Sequence, residues 1–538
     1  MSQQQRMLLA VALSLLFFIV YDFIMPKPQR VMHDQNATTQ SQPLSQSSNT
    51  AAPIAPTDSA TQAPVTNSAD TAVNSAPVSQ SNIISTVKSK DFIAQFDELG
   101  RISKFEVLME RFKNSKDGGY PNVIANNSLK PLEIRFSDAA LNAEAFKVPY
   151  TASVSDLDVT NSKASIVLTQ KLSKTTVTKT ISFNENGSYN VNVKLSENQD
   201  YFMSPGFRPD VESDMYTFKG VIVRKANEAT ETIADGDAEG NEVFNGATIV
   251  AASDKYYTTA FYDFENSMNA FVTKDSESDP LIFIKGNSDL SVNGYIGPKE
   301  YDRLDSIDPR LTSIIEYGFF TFIAKPVFIF LKYIHSIVGN WGWSIVLITL
   351  IIRFILYPLT YKGMVSMNKL KELSPKIKQI QADHKGNPQK MNAKMMELYK
   401  KEGANPMGGC LPMLMQIPVF FAIYRVLLNS IELKHAPWTA WIHDLSVMDP
   451  YYVLPVLMGA SMFWQQRITP TNFTDPMQEK IMKFLPLIFT FFFVTFPAGL
   501  TLYWFVNNMF SVLQQYYVNS IFAKAKAQKE SVKEVSKS

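Results

Sequence analysis

The sequence contains a single cysteine, Cys410, among 538 residues. No disulfide can form within the chain, and we expect neither a redox role nor a cysteine-bound metal. Five apolar segments in the second half of the chain also contain no aspartate, glutamate or histidine; they are residues 341–361, 408–429, 451–464, 484–496 and 500–518. Serines in these segments have no His or Asp partner there, which argues against an intramembrane protease. We expect no enzymatic activity and no cofactor.

These apolar segments indicate transmembrane helices. A hydrocarbon core of about 30 Å is crossed by about 20 apolar helical residues, and residues 7–25 form a sixth such segment. We interpret residues 1–26 as an N-terminal transmembrane anchor. A cleaved signal peptide is the alternative, although no small-x-small cleavage site follows the segment before Pro26.

The five later segments complete an α-helical polytopic membrane protein with six transmembrane helices. Residues 341–361 form the second helix, and residues 408–518 contain helices three to six. Two segments are short, because 451–464 and 484–496 would cover only about 21 Å and about 20 Å. Such a mismatch favours local thinning of the bilayer.

Between the first two membrane segments the composition changes twice. Residues 27–82 are dominated by Ser, Thr, Gln, Asn, Ala and Pro, which predicts a disordered linker. From residue 83 to 312 apolar and polar residues alternate, as in Tyr189 to Leu195, and Asn186-Gly187 is a strong hairpin signal. These patterns predict an all-β, sandwich-type domain of antiparallel strands, interrupted by a solvated acidic loop at residues 226–242.

Helical patterns flank the second membrane segment. Residues 313–340 carry Lys and His among aromatic and aliphatic residues, so we expect an amphipathic helix beginning at Pro326 in the membrane interface. In residues 362–407, apolar residues repeat at helical spacing on both sides of Asn387-Pro388, which predicts an antiparallel helical hairpin.

Charge in the loops predicts the orientation of the chain. Residues 362–402 hold ten Lys against four acidic residues, whereas residues 430–450 hold one Lys against three acids. The tail, residues 519–538, holds five Lys against two Glu. We therefore expect the helical hairpin, the basic tail and both termini to be cytoplasmic, and the β-domain to lie on the outer side, in the periplasm of a Gram-negative cell.

Arg353 is a charged residue within the second predicted transmembrane helix, residues 341–361. An arginine near the middle of a bilayer costs about 2.5 to 3.5 kcal/mol on insertion scales, which makes it a functional hypothesis. Lys362 lies nine residues further on, about 13 Å along a helix, and helical side chains point toward the N-terminus, away from that end. Arg353 therefore requires water or polar partners inside the membrane.

Polar residues on three segments lie at a similar depth. Gln416 and Ser511 are each about 12 Å from the cytoplasmic end of their segment, close to the depth of Arg353. Further polar positions share helical faces with these residues: Thr349 and Tyr357 flank Arg353, and Trp504, Asn508 and Gln515 form a stripe with Ser511. This layer predicts a polar, cytoplasm-facing groove. The alternative is that each residue only hydrogen-bonds a neighbouring helix, but that leaves the arginine without a countercharge.

A small-anion transporter or channel is the alternative functional class. It could use Arg353, but the outer halves of the segments offer little polar lining beyond Arg425, which we expect to reach the outer surface. His335, His435 and His443 all lie near the predicted outer interface, and we expect no metal there.

Four motifs carry a resemblance to a known family. They are NPMGGCLPMLMQIPVF from Asn405, WIHDLSVMDPYYVLP from Trp441, DPMQEKIMKFLPLIFT from Asp475 and FPAGLTLYWFVNN from Phe496. In order and spacing, over residues 315 to 520, the chain resembles the YidC family of membrane protein insertases, related to the mitochondrial oxidase-assembly and chloroplast Albino families. The anchor, linker and β-domain are similar to its Gram-negative form.

The resemblance implies an insertase that hydrolyses no ATP and inserts nascent membrane proteins into the inner-membrane bilayer. Five transmembrane helices would form its core. It would act alone or with the Sec translocon (SecYEG and SecDF). Arg353 matches the family's groove arginine and Thr349 a groove residue beside it, whereas Trp504 stands where close enterobacterial relatives carry a tyrosine. The basic tail and cytoplasmic loops would contact the ribosome weakly; orientation by anionic lipid and membrane potential is the alternative role of the tail.

Overall fold

The computed structural model describes residues 82–113, 118–126, 128–211, 217–384, 386–403, 411–469 and 476–535. The predicted anchor, all but the last residue of the predicted linker, and Cys410 lie outside these ranges.

The N-terminal half is built from short strands. They are β1 Ile83–Lys88, β2 Phe92–Asp97, β3 Ile102–Val107, β4 Ile134–Phe136, β5 Thr151–Ala152, β6 Asp156–Asp158, β7 Ala164–Lys171, β8 Thr176–Phe183, β9 Ser188–Leu195, β10 Tyr201–Met203, β11 Gly220–Lys225, β12 Thr230–Ala234, β13 Glu242–Ser253, β14 Tyr257–Tyr262, β15 Met268–Lys274, β16 Pro280–Gly286 and β17 Leu290–Pro298. One helix, α1, covers Ala139–Ala145. The first strand begins at the predicted domain boundary, residue 83.

These strands form two sheets. The smaller has the order β3-β2-β1-β6; the larger runs β4-β10-β16-β15-β13-β14-β17-β9-β8-β7-β5, and β11 and β12 branch from β13. Phe92 of the smaller sheet packs against Phe183 of the larger, with ring centroids 5.9 Å apart. The sandwich-type domain is therefore confirmed.

The alternation of apolar and polar residues predicts the buried residues of β9 correctly. Tyr189, Val191 and Val193 are all buried in β9, and β8 and β9 form the hairpin that Asn186-Gly187 predicts, with Phe183 opposite Tyr189. Gly187 takes the positive φ, +83°, that the turn requires. The prediction of a loop at residues 226–242 is wrong in part, because Thr230–Ala234 form strand β12.

The C-terminal half is helical. Its helices are α2 Tyr301–Ile307, α3 Thr321–Val338, α4 Trp341–Ile355, α5 Tyr357–Asp383, α6 Pro388–Glu402, α7 Leu411–Asn429, α8 Val453–Ile468, α9 Pro476–Phe493 and α10 Ala498–Val535. A 3-10 turn at Pro309–Ile314 follows α2, and one at Ile431–Leu433 follows α7. Tyr301 of α2 packs on Phe328 of α3, with ring centroids 5.4 Å apart, so one apolar cluster continues from the β-domain into the helices.

The helix bounds correct two predictions. α3 begins at Thr321, five residues before Pro326. The segment 341–361 is not one straight helix, because α4 ends at Ile355 and the chain bends by 64° before α5. The short segments 451–464 and 484–496 overlap α8 and α9, which are about 24 Å and 27 Å long, still shorter than a hydrocarbon core of about 30 Å.

By length and composition, one helix within the described ranges, Thr321–Val338, could cross a membrane, and the bent pair α4 and α5 adds a second if it is one span. Two shorter apolar stretches are Leu414–Asn429 and Met482–Phe493. The count of six transmembrane helices stays a prediction, as does the interfacial position of α3.

Residues 373–403 belong to a second compact unit. Asn387 caps α6 by accepting a hydrogen bond of 3.0 Å from the backbone N–H of Lys390. Lys376 and Glu402 form an ion pair of 2.7 Å. This pair joins the start of the first helical segment of the unit to the end of the second, so the two segments lie side by side as in a hairpin.

Candidate functional site

Arg353 lies in the last turn of α4 and is only 6% exposed. The helix ends two residues later. Arg353 therefore lies at the C-terminal end of α4, where the helix dipole places a partial negative charge. That end favours a cation by about 0.3 to 1 kcal/mol. The bend after Ile355 therefore supplies a local reason for a cation at this position, one that a straight helix through residue 361 would lack.

The guanidinium is held by neutral oxygen atoms. Nε donates a hydrogen bond of 2.6 Å to Oδ1 of Asn507, and Nη2 donates to the carbonyl oxygen of Asn507 at 3.2 Å and to Oγ of Ser511 at 2.8 Å. Nη1 has a longer contact, 3.5 Å, with Oε1 of Gln416. Residues of α4, α7 and α10 thus meet at one charge.

Two predicted members of the layer, Gln416 and Ser511, do contact Arg353. Both also bond Asn507: Nε2 of Gln416 donates to its Oδ1 at 3.4 Å, and the Ser511 hydroxyl donates to its carbonyl oxygen at 2.9 Å. The convergence of Arg353, Gln416 and Ser511, proposed from depth alone, is present in the structure.

Thr349 and Asn508 are bonded elsewhere. The hydroxyl of Thr349 donates to the carbonyl of Ile345 in its own helix at 2.6 Å. Asn508 donates to Oγ of Ser461 on α8 at 3.3 Å. Both side chains are buried, and their described bonds match the alternative in which polar groups pair with a helix.

Trp504 belongs to an aromatic cluster. Its ring lies 4.7 Å from that of Phe420, 5.1 Å from that of Phe493 and 6.0 Å from that of Phe489, measured between centroids. The buried indole N–H has no hydrogen-bond acceptor in the described part of the chain. Trp504 therefore contributes apolar packing between α7, α9 and α10.

Asn507 is the site residue that the sequence reasoning missed. The predicted stripe on α10 follows Trp504, Asn508, Ser511 and Gln515, which is one helical face. Asn507 lies four residues before Ser511, so the same spacing rule places these two side by side. That spacing was the available signal, and the adjacent Asn508 obscured it.

A second set of polar contacts lies further along α10. Gln514 donates to the hydroxyl of Thr360 at 2.7 Å. Asn519 accepts from Gln515 at 2.8 Å and from Asn368 at 3.0 Å, and donates to the carbonyl of Ile468 at 3.1 Å. The first turns of α5 and the end of α8 are thereby tied to α10 on the C-terminal side of the arginine.

The two arginines of this region differ in their counterions. Arg425 pairs with Glu316 across 3.6 Å and its side chain is 36% exposed, so its reach to the outer surface stays a prediction. For Arg353, the described residues supply no carboxylate within ion-pair distance. Within those same ranges no group of three or more His, Cys, Asp or Glu side chains is placed to hold a metal.

Comparisons with known proteins identify the family. Residues 333–526 match the family described as 60Kd inner membrane protein, and residues 137–330 match the YidC periplasmic domain. The membrane protein insertase YidC of Campylobacter jejuni is 52% identical over 531 residues, 98% of each chain. That of Wolinella succinogenes is 48% identical, over 96% of this chain and 95% of its own. The chain belongs to the YidC family.

The boundary between the two family matches, at residues 330–333, lies within α3 and not at the end of the β-sandwich. The YidC periplasmic domain covers most of the β-sandwich, from Ser137 onward. The inner-membrane match contains Arg353, Gln416, Asn507 and Ser511. A crystal structure of an active YidC insertase with its first transmembrane domain resolved aligns with 81% of this chain and 95% of its own, at 19% identity and a TM-score of 0.36. That likeness is too low for a comparison of positions.

Proposed function

We propose that this chain is a membrane protein insertase in which Arg353 draws acidic residues of a nascent client into a groove open to the cytoplasm. The observation that carries the proposal is the set of partners around Arg353. A buried guanidinium is bonded to neutral oxygens of Asn507, Ser511 and Gln416, and the five membrane segments from residue 341 to 518 contain no acid to neutralise it. A carboxylate supplied by the client would complete the ion pair.

The proposed topology follows the lysine distribution. Six transmembrane helices, counting residues 1–26, would place both termini and the hairpin 362–407 in the cytoplasm and the domain 83–312 in the periplasm. The linker 27–82 would connect anchor and domain, the segment 313–340 would lie in the interface, and the tail 519–538 would be cytoplasmic. The polar layer would then open toward the lysine-rich side.

The apolar segment of a client needs an apolar path into the lipid beside the groove. α9 exposes Leu487 at 68% and Phe491 at 77%, and α7 exposes Leu414 and Met415. In a membrane these side chains would face lipid, which is also where a client segment must arrive. We propose that it leaves along residues 408–429 and 484–496, with Thr349, Trp504 and Asn508 forming the wall of the same groove.

The partners follow from the same layout. Nascent membrane proteins and the bilayer are the primary ones, and the Sec translocon would act beside the chain on some clients. The basic tail would bind ribosomal phosphates weakly and in a salt-sensitive way. α10 continues into this tail to Val535, so four of its five lysines lie within the helix. No ATP hydrolysis or other catalytic chemistry is proposed.

The test compares two clients that differ only in charge. One is a single-span protein with two Asp residues in its translocated tail, and the other has Asn at both positions. In proteoliposomes, Arg353→Ala should lower insertion of the acidic client about tenfold while the neutral client changes little, a loss of about 1.4 kcal/mol. Equal effects on both clients would contradict the electrostatic role.

A further inference from the structure

Asn507 is the residue to which Arg353 is most extensively bonded. Its Oδ1 accepts from Nε at 2.6 Å and its carbonyl oxygen accepts from Nη2 at 3.2 Å. These two acceptors face the Nε and Nη2 edge of the guanidinium. A carboxylate binds arginine through two parallel N–H donors of this kind, so Asn507 presents two oxygens to an edge that could hold a carboxylate.

The amide oxygen of Asn507 is itself shared. Gln416 donates to it at 3.4 Å, so two side chains from two helices direct their N–H groups to one oxygen. Such a converging set of donors is suited to an anion. In this chain a neutral group occupies the position.

We propose that the side-chain amide of Asn507 is a neutral stand-in for the client's carboxylate, satisfying Nε of Arg353 while the groove is empty and turning away when the client arrives, whereas its backbone carbonyl stays in α10. This inference rests on the proposed function. The stand-in must be weaker than the client. The bond from the guanidinium to the amide oxygen is charge-assisted on the donor side only, whereas a client carboxylate brings a full negative charge and can accept two parallel N–H bonds. The carboxylate therefore gains more from the guanidinium than the amide does.

The geometry also offers the client a first point of contact. Nη1 is the least firmly held nitrogen, with its contact to Gln416 at 3.5 Å, the limit for a hydrogen bond. A carboxylate can bind there before Asn507 moves. An aspartate at residue 507 would instead form a permanent ion pair with Arg353 in a buried setting and would close the site to clients.

The experiment measures the ratio of acidic to neutral client inserted by the full chain, using the Asp-tailed and Asn-tailed clients described above. This ratio does not depend on how much protein is folded. Asn507→Asp should lower the ratio about tenfold, to the value of Arg353→Ala, which corresponds to about 1.4 kcal/mol of competition. Asn507→Ala should leave the ratio unchanged or raise it, because it removes the competitor.

Ser520→Asp is the matched control for charge. It places the same carboxylate on α10 at a residue whose hydroxyl bonds only within its own helix, to the carbonyl of Tyr516, and should leave the ratio unchanged. An unaltered ratio in Asn507→Asp, or a lower ratio in Asn507→Ala, would overturn the stand-in role. If Arg353→Ala leaves the ratio unchanged, the proposed electrostatic function fails; if it lowers the ratio and Asn507→Asp does not, the present inference alone fails.

Discussion

The side chain of Glu432 accepts a hydrogen bond of 2.9 Å from the backbone N–H of Tyr301, the first residue of α2. This bond joins the turn after α7 to the helix that follows the β-sandwich. Beside it, Lys434 donates to the hydroxyl of Tyr257 in β14 at 3.4 Å, and Arg111 pairs with Glu300. The β-domain is thus fastened to the helical region by polar groups as well as by apolar packing.

This junction is expected to respond to pH. Burial raises the pKa of Glu432 to about 7, above the value of about 4.3 for an exposed glutamate. The folded junction therefore takes up a proton that the opened form lacks between these two values, and its stability rises as the pH falls from about 8 through 7. Hydrogen exchange at Tyr301 in the full chain, corrected for intrinsic rates, should be slower at about pH 6 than at about pH 8.

Glu432→Gln is the control for this prediction. Glutamine keeps an oxygen that can accept the bond from Tyr301 but cannot ionise. The variant should show little pH dependence at Tyr301 and slower exchange than the native chain at about pH 8. A pH dependence that survives in Glu432→Gln would assign the effect to another group at the junction.

The β-domain could be predicted from sequence because several of its strands, among them β2, β8 and β9, bury alternate residues. Alternation identifies Phe92, Ala94 and Phe96 as core residues, and all three are buried. The Asn387 cap could also be predicted, since it depends only on the next few residues. Patterns of this kind are local, and the sequence contains all of their determinants.

The detail of the arginine site depends on tertiary contacts and could not be obtained in the same way. The end of α4 at Ile355 does have a local signal, Pro358, because proline disrupts a continuous helix and is favoured in the first turn of a new one. Proline is also tolerated within transmembrane helices, so it does not by itself place the helix end. The depth of each residue along its own helix was enough to predict that Gln416 and Ser511 lie near Arg353. Depth does not specify rotation about the helix axis, and rotation decides that Asn507 faces the guanidinium and Asn508 faces Ser461.

Lys179 gives a second pH-dependent prediction. Its side chain is fully buried in the sandwich, and Nζ donates to the carbonyls of Gly100 at 3.0 Å and Leu132 at 2.7 Å. Burial lowers the pKa of Lys179 to about 7. The unfolded chain then binds the extra proton between about pH 7 and 10.4, so the stability of the domain should rise with pH over this range.

Lys179→Met should remove that rise. It should also destabilise the domain by about 1 to 3 kcal/mol, because two buried carbonyls lose their donor. Pulse proteolysis of the full chain at about pH 7 and pH 9 measures both effects. An unchanged pH slope in the variant would show that Lys179 is not the group responsible.

Gly459 permits the close approach of α8 and α9. A Cβ at this residue would overlap the hydroxyl of Thr490, which is fixed by a bond of 2.7 Å to the carbonyl of Pro486. Gly459→Ala must therefore push the helices apart, at a cost of about 1 to 3 kcal/mol. The midpoint of thermal unfolding in detergent should fall, and Thr490→Ala in the same chain should restore most of it. Gly386→Ala, with no atom within 4 Å of the added Cβ, is the control.

Asn519 joins α5, α8 and α10 on the C-terminal side of the arginine. It bonds Asn368 of α5, Gln515 of α10 and the carbonyl of Ile468. Asn519→Ala removes all three bonds and leaves buried or half-buried polar groups without partners, at about 1 to 3 kcal/mol each. The start of α5 should then separate from α10, seen as a broader spin-label distance distribution between residues 365 and 520.

Ser520→Ala is the control variant. Because the spin label occupies residue 520, this comparison uses hydrogen exchange in residues 360–370 instead. Ser520 lies on the same turn but bonds only Tyr516 of its own helix. Exchange should increase in Asn519→Ala and stay unchanged in Ser520→Ala. Equal exchange in the two variants would mean that the apolar packing of α5 on α10 holds the segment without Asn519, and that the amide network serves only to satisfy its own buried groups.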